Sequence, residues 1–203
     1  MKARSAVLAA AAAGLGAALW WRKNPSACPY NQRFWVQAPH PLITRSRLRE
    51  ALDPRPGEHV LEVGPGTGYY AVEVAEWIGP DGRLEIFDLQ PEMLDHTMRQ
   101  AGERGLGNVV ATEGDATRLP YDDASFDAAY LVTVLGEIPD QDAALRELRR
   151  VLKPGGRLVV GEVALDPHVV FPGPLRRRAE AAGLRFDRQV GSSLGFFARF
   201  AAP

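Results

Sequence analysis

From position 59 onward, short apolar runs of strand length alternate with longer stretches in which apolar residues recur at helical spacing. The apolar runs predict five strands, at His59–Val63, Arg83–Asp88, Val109–Thr112, Phe126–Val132 and Arg157–Val163. The helical stretches are Tyr70–Ile78, Pro91–Arg104 and Gln141–Leu152. Strands that alternate with helices are typical of parallel sheets with right-handed crossover connections. The pattern therefore predicts an α/β domain.

The flanks of this region follow other patterns. Before it, Asn24–Pro41 is a linker rich in Pro and Asn, and Leu42–Leu52 has the spacing of a short amphipathic helix that ends at Asp53-Pro54. After it comes a predicted hairpin, because two short apolar runs are separated by a turn-like tripeptide. Its parts are a short helix at Leu175–Ala182, strands at Leu184–Val190 and Gly195–Ala201, and a turn at Gly191-Ser192-Ser193.

The N-terminal run Ala6–Trp21 contains no charged or strongly polar residue, and two basic residues stand on either side of it. A helix that is apolar on all sides must be buried in lipid or protein. About 16 residues at ~1.5 Å each reach roughly 24 Å, which flanking charges and the Trp20–Trp21 pair can extend toward the ~30 Å hydrocarbon core. We predict an uncleaved anchor helix over residues 1–23 that spans the bilayer or lies in its interface. A cleaved signal peptide is the alternative.

Composition narrows the functional classes. With 46% hydrophobic and 24% charged residues, the 203-residue chain can bury a full core, and a net charge of −1 does not favour a nucleic-acid partner. Its only cysteine, Cys28, leaves no internal disulfide framework. The four histidines are scattered without metal-ligand spacing, so no metal site is expected.

The strongest chemical signal is the segment His59–Tyr70, HVLEVGPGTGYY, in which an apolar strand runs into a glycine-rich turn and then a helix. Glycines permit positive φ angles and close approach of a ligand to the backbone. The dinucleotide fingerprint needs a glycine at position 69, where this chain has Tyr69. Glu62 beside the turn would repel a pyrophosphate and attract a cation. The segment therefore favours a cationic ligand at the carboxyl end of this strand.

Further motifs follow in order along the chain. Asp88 ends the second strand, where a carboxylate can accept ribose hydroxyls. Gly114-Asp115-Ala116 follows the third strand, Ser125-Phe126-Asp127 opens the fourth, and Pro154-Gly155-Gly156 is predicted to stop a helix and turn into the fifth.

Together these motifs resemble the class I S-adenosylmethionine-dependent methyltransferases, especially their small-molecule and lipid methyltransferases, from Leu42 to the C-terminus. The resemblance implies a Rossmann-like, doubly wound, seven-stranded sheet in the order 3-2-1-4-5-7-6 with the last strand antiparallel, here preceded by the apolar helix. It implies S-adenosylmethionine as the cofactor. The expected domain boundaries are an anchor at 1–23, a linker or lid at 24–41 and the methyltransferase domain at 42–203.

The resemblance also implies roles for individual residues. Glu62 and the glycine turn would hold the methionine end, Asp88 with Leu89 beside it the ribose, Asp115 with Ala116 the adenine, and Val132 the region near the sulfonium. The turn consists of Gly64, Pro65, Gly66, Thr67 and Gly68. Each acid has a local alternative role as a helix cap or loop residue.

One position departs from the family pattern. After the fourth strand many relatives carry paired histidines, whereas this chain has Gly136-Glu137. Glu137 is the candidate catalytic residue, since it could orient an acceptor or take its proton. The alternative is an acid that favours the start of the following helix. The linker residues Tyr30, Arg33, Phe34 and Trp35 would form either a lid over the cofactor or an aromatic belt at the membrane surface.

The expected function is transfer of a methyl group to a small, hydrophobic or lipid-borne acceptor near a membrane, with the domain in the cytoplasm where the cofactor is found. Two alternatives stay open: a membrane-tethered protein that binds S-adenosylmethionine without turnover, and a nicotinamide-dependent oxidoreductase. The acceptor atom and the oligomeric state stay open as well.

Overall fold

The computed structural model describes residues 25–32 and 40–203. Seven strands form a single sheet in the order β3-β2-β1-β4-β5-β7-β6, which confirms the expected order. Neighbouring strands are parallel except for β7, which runs antiparallel to both β5 and β6. The strands are β1 His59–Val63, β2 Arg83–Asp88, β3 Val109–Glu113, β4 Phe126–Val132, β5 Leu152–Val163, β6 Arg185–Ser192 and β7 Gly195–Ala201.

Five α-helices in the described part of the chain cover the two faces of the sheet. They are α1 Arg45–Leu52, α2 Ala71–Ile78, α3 Pro91–Glu103, α4 Gln141–Val151 and α5 Pro172–Ala181. Short 3₁₀ helices occupy Tyr30–Gln32 and Leu135–Glu137. Helix α1 begins at Thr44, whose hydroxyl accepts a hydrogen bond from the Arg47 N–H at 3.3 Å, and ends at Asp53 in a left-handed conformation before Pro54.

Two hydrophobic cores lie on opposite faces, because side chains alternate across each strand. One core joins the sheet to α1, α2 and α3, with Leu48, Ile78 and Leu94 among its members. The other joins the sheet to α4 and α5, through Leu148 and Leu175. This doubly wound arrangement leaves the carboxyl ends of the parallel strands at one shared edge, here called the carboxyl edge.

The role expected for the Pro154-Gly155-Gly156 turn, which was to end the helix, was wrong. Helix α4 ends at Val151, one residue before the predicted Leu152, and β5 starts at once rather than at Arg157, with Leu152 paired to Phe126. Pairing then resumes between Arg157 and Ala128, so the intervening residues bulge out of the ladder. Gly155 in this bulge has a φ of 78° and donates its N–H to the Ala202 carbonyl at 2.9 Å. The turn therefore serves as a bulge that the C-terminus covers.

The predicted anchor over residues 1–23 lies outside the described residues, as do Arg33, Phe34 and Trp35 of the linker. Across residues 25–32 and 40–203, no helix has the length and apolar character needed to cross a bilayer.

Candidate active site

A cavity of about 380 Å³ opens at the carboxyl edge, beside the ends of β1, β2, β3 and β4. Most of the predicted site residues lie in its wall. They are Gly64, Gly66, Asp88, Leu89, Asp115, Ala116, Val132 and Glu137. The structure thus brings together side chains that the sequence separates by 73 positions, as expected for strand ends in an open parallel sheet.

Four other predicted residues lie behind this wall. Glu62, Pro65, Thr67 and Gly68 are buried and do not line the cavity. A Cβ at Gly68 would come within 3.1 Å of the Thr97 side chain on α3. Thr97 also donates its hydroxyl hydrogen to the Gly66 carbonyl at 3.1 Å. Helix α3 therefore holds the turn from behind, a contact that sequence reasoning missed.

The glycine turn needs its glycines for conformation as well as for space. Gly64, Gly66 and Gly68 have φ angles of 71°, 56° and 84°, in the left-handed region that residues with a Cβ avoid. A Cβ at Gly64 would lie 2.4 Å from the Val134 side chain, which also lines the cavity. The turn is thus tightly fitted on one side and open to a ligand on the other.

Glu62 is a buried carboxyl at the base of the turn, with 2% exposure. Burial raises its pKa to about 8 and outweighs the opposing effect of the Tyr130 hydroxyl on β4. Among the described residues, its Oε2 atom has no hydrogen-bond partner. A buried acceptor without a donor is costly unless a ligand supplies one. Glu62 lies behind the wall at the base of the glycine turn, so its carboxyl fits a role beneath a cation or ammonium group bound at that turn.

Asp88 ends β2 and lies in the cavity wall. Its Oδ1 accepts a hydrogen bond from the Gln90 N–H at 2.9 Å. Burial raises its pKa to about 6, although backbone N–H groups of Gln90, Leu89 and Gly66 oppose the shift. The carboxyl is therefore fixed in direction and can accept hydrogen bonds from ribose hydroxyls.

Asp115 combines both of its proposed roles. Its Oδ1 accepts hydrogen bonds from the Thr117 N–H and hydroxyl, each at 2.8 Å, which holds the loop and lowers the pKa of the carboxyl. The same residue lines the cavity together with its buried neighbour Ala116. The local hydrogen bonds orient the loop that borders the ligand.

Glu137 lies in the cavity rather than at the start of α4. That helix is capped by Asp140, whose side chain accepts the Ala143 N–H at 2.9 Å. The Glu137 carboxyl instead faces the N-terminal segment and accepts the Cys28 N–H at 3.2 Å. Burial raises its pKa to about 8, the Cys28 hydrogen bond lowers it, and Asp166 and Asp88 raise it further.

The segment Pro25–Gln32 lies over this side of the cavity, which the sequence indicated only as a linker or lid. Its residues 25 to 28 line the wall. Gln90 holds the segment by two hydrogen bonds, donating to the Cys28 carbonyl at 3.0 Å and accepting from the Tyr30 N–H at 3.2 Å. The Tyr30 hydroxyl lies 3.2 Å from His96 Nδ1. No local pattern in the sequence signals these contacts.

The charge of the cavity wall is the main clue to its ligand. Asp88, Asp115 and Glu137 contribute carboxyls, whereas the part of the wall that the structure describes contains no Lys, Arg or His. A positive charge in the cavity would favour the ionised forms of Asp88 and Glu137 and lower their raised pKa values. A pyrophosphate would be repelled. The site therefore fits the sulfonium and ammonium groups of S-adenosylmethionine and disfavours a dinucleotide.

Comparison with known proteins agrees with this chemistry. The family model described as a methyltransferase domain matches residues 60–156, from β1 into β5. The ubiquinone/menaquinone biosynthesis C-methyltransferase UbiE of Cellvibrio japonicus is 38% identical over 120 residues, which cover 59% of this chain and 48% of that protein. The demethylmenaquinone methyltransferase of Geobacillus kaustophilus is 35% identical over 123 residues, which cover 61% of this chain and 53% of that protein. The chain thus spans about half the length of these two curated relatives.

Solved structures share the fold. A SAM-dependent methyltransferase from Aquifex aeolicus superposes with a TM-score of 0.79 and 22% identity, covering 87% of this chain and all of that one. The [4+2]-cyclase SpnF superposes with a TM-score of 0.70 and 25% identity, covering 78% and 79% of the two chains. A cyclase in this group means that the fold by itself does not fix the reaction.

Proposed function

We propose that this chain is a class I S-adenosylmethionine-dependent methyltransferase, with S-adenosylmethionine as its cofactor. It would transfer the sulfonium methyl group to a small, hydrophobic or lipid-borne acceptor near a membrane. The observation that carries this proposal is a cavity with three carboxyls and no described basic side chain in its wall, at the end of a glycine turn. Two of the curated relatives are named as methyltransferases of quinone biosynthesis, which supports a hydrophobic acceptor.

Each part of the site is proposed to hold a different part of the cofactor. Glu62 and the glycine turn would hold the methionine end, Asp88 the ribose, and the Asp115 loop the adenine. The cofactor supplies an electrophilic methyl group on a cationic sulfur. Apolar side chains between these groups and Glu137 exclude water, so that alignment and desolvation contribute to the rate. These side chains are Val63, Met93, Val132, Val134 and Ile138.

Glu137 is proposed as the group that orients the acceptor or takes its proton. With a pKa of about 8, it holds its own proton near neutral pH in the protein alone. A positive charge bound beside it lowers that pKa and frees the carboxylate as an acceptor. The base would therefore be available when the cofactor is in place.

The proposed location is the cytoplasmic side of a membrane, with residues 1–23 as the anchor. The support for this is the uncharged run Ala6–Trp21 between two pairs of basic residues. Pro25, which lies in the cavity wall, follows the last residue of this run by four positions in the sequence.

The test is transfer of labelled methyl groups from S-adenosylmethionine into lipid extracts of membranes. Wild-type protein should label a lipid-soluble product. Asp88→Ala should lose about 1–3 kcal/mol of cofactor affinity, because a charged hydrogen-bond acceptor is removed. The matched control Asp122→Ala changes an exposed acid before β4 and should leave affinity unchanged.

Three results would change the proposal. Tight cofactor binding without labelling of any extract supports a binding protein without turnover. Tighter binding of NAD than of S-adenosylmethionine overturns the assignment of the cavity. Unchanged affinity in Asp88→Ala removes Asp88 from the ribose site.

A further inference from the structure

The exposed large apolar side chains of the described residues gather at one edge of the molecule. They are Leu89, Leu165, Phe171 and Leu194, with exposed fractions of 61%, 88%, 41% and 60%. Leu89 follows β2 and lines the cavity, where a bound cofactor would cover it. The other three lie beyond the end of β5, in the turn before β7 and at the start of α5. Single apolar residues scattered over a surface are ordinary, but a group beside a binding site is not.

A backbone hydrogen bond joins the two turns that carry Leu165 and Leu194. The Ala164 N–H donates to the Leu194 carbonyl at 2.9 Å, so Leu165 directly follows a residue that is paired to Leu194. Gly195 pairs with Val163 at the end of β5, which places this contact at the carboxyl edge. Both leucines therefore protrude from the same edge that carries the cavity.

Phe171 continues this edge toward a second cavity. That cavity has a volume of about 270 Å³ and lies between the loop after β5 and the start of α4. Pro25 lines both cavities, so the two adjoin. Arg178 beside the second cavity is paired with Asp142 at 2.6 Å, which neutralises its charge.

The position of Pro25 indicates what covers these side chains. The 24 residues that precede it include the uncharged run Ala6–Trp21, and they join the domain at the carboxyl edge. If that run enters a bilayer, only Lys23 and Asn24 lie between Arg22 and Pro25. At ~3.5 Å per residue, this connection keeps the carboxyl edge within about 10 Å of the lipid surface. Neither helical face of the sheet carries an exposed large apolar side chain among the described residues.

We propose that Leu165, Phe171 and Leu194, here called the apolar rim, insert into the interfacial region of a lipid bilayer. The rim holds the domain with both cavities facing the lipid, so that an apolar acceptor enters from the bilayer. The entry of the acceptor rests on the proposed function, whereas the docking of the rim on lipid does not. The occupant is a lipid surface, because the uncharged run Ala6–Trp21 precedes Pro25 at this edge.

The test places an environment-sensitive fluorophore on the full-length chain. Cys28 is changed to Ser, and single cysteines are introduced as Leu165→Cys, Leu194→Cys or, as a matched control, Asp81→Cys. Asp81 is exposed just before β2, at the opposite edge of the sheet. Neutral phosphatidylcholine vesicles should shift the emission of the two rim labels to the blue and leave the Asp81 label unchanged.

A second arm removes the rim. The double variant Leu165→Ser/Leu194→Ser should need at least about tenfold more phosphatidylcholine for half-maximal vesicle binding, since two apolar side chains lose their burial. Calorimetry with S-adenosylhomocysteine should give wild-type affinity, which shows that the variant is folded. If the wild-type chain inserts its rim normally but transfers no methyl group, the proposed function is refuted and the rim assignment stays intact.

Two outcomes overturn the rim. Rim labels that stay silent while the chain sediments with vesicles mean that the N-terminal run alone binds the lipid. A blue shift that grows with protein concentration in the absence of vesicles means that a second copy of the chain covers the rim.

Discussion

The two halves of the candidate site are built in different ways. The proposed cofactor half consists of the glycine turn after β1, Asp88 at the end of β2 and the Asp115 loop after β3. The proposed acceptor half lies after β4 and β5, around Glu137, and is completed by the segment Pro25–Gln32. In the cofactor half, the acids that line the cavity are held by hydrogen bonds from residues two positions away. In the acceptor half, the hydrogen bond between Cys28 and Glu137 joins residues 109 positions apart.

The family model covers the two halves unequally. The matched region, residues 60–156, contains the whole cofactor half and Glu137. The matched region excludes the segment at 25–32, the loop after β5 and the hairpin formed by β6 and β7. Backbone geometry around a common cofactor tolerates little change, whereas walls made from distant segments can be exchanged without altering the turn. Substrate choice is therefore expected to reside in the acceptor half.

The largest expected effect comes from a methyl group on the glycine turn. Gly64→Ala places a Cβ 2.4 Å from the Val134 side chain and requires a φ of 71°. The turn must shift, so affinity for S-adenosylmethionine should fall at least roughly 100-fold, or about 2.7 kcal/mol, by calorimetry. Stability should fall by about 1–2 kcal/mol because of the left-handed backbone.

A matched control separates these two effects. Gly105 after α3 has a φ of 69°, and a Cβ there meets no atom within 4 Å. Gly105→Ala should therefore lose only the about 1–2 kcal/mol of stability that the left-handed backbone costs, measured in urea, and keep normal cofactor affinity. Equal losses of affinity in both variants would mean that backbone strain acts through global stability, and that the close fit of Gly64 against Val134 does not determine cofactor affinity.

The same division explains how far the sequence could predict the molecule. The sheet and its order follow from the alternation of elements together with the family resemblance, and the cavity contains eight of the twelve predicted site residues. Strand-end acids and turn glycines are recognisable because their roles depend on neighbours along the chain.

Contacts between distant segments were less predictable in both halves, for a physical reason. The packing of helices and segments decides that Gln90 holds Cys28 and Tyr30. It also decides that Thr97 supports Gly66. The Pro154-Gly155-Gly156 sequence has the composition of a helix stop, but strand pairing with β4 and a hydrogen bond from the C-terminal residues make it a bulge. Such contacts are decided by tertiary packing, which a local pattern does not contain.

A smaller effect concerns the proton on Glu137. In the folded protein its pKa is about 8, against an ordinary value of 4.5 that also describes the unfolded chain. At a pH between these two pKa values, unfolding releases a proton from Glu137. The free energy of unfolding therefore decreases as the pH rises from about 5 to about 8. Glu137→Gln removes this contribution and should flatten the decline by about 1 kcal/mol or more, measured by urea unfolding across that range.

Glu62 provides the comparison within the cofactor half, since burial raises its pKa to about 8 as well. Glu62→Gln should flatten the pH dependence in the same way but weaken S-adenosylmethionine binding, whereas Glu137→Gln should keep cofactor affinity within about threefold of wild type. If Glu137→Gln weakens the cofactor as strongly as Glu62→Gln, the carboxyl belongs to the cofactor half and its role toward the acceptor is refuted.

The smallest expected effect tests the link between the halves. Gln90→Ala removes both side-chain hydrogen bonds to the N-terminal segment but keeps the backbone N–H that binds Asp88. The Gln90 side chain makes no cap hydrogen bond to α3, so the helix should persist. Losing these bonds should weaken docking of the segment by about 0.5–1.5 kcal/mol and speed cofactor release a few-fold, because Pro25–Cys28 line the cavity.

Hydrogen exchange at residues 25–32 measures the docking of the segment, and stopped-flow dissociation measures cofactor release. Gln189→Ala, on the exposed face of β6, is the control. Faster exchange with unchanged cofactor release would show that the segment borders the acceptor alone, and the two halves would then be independent.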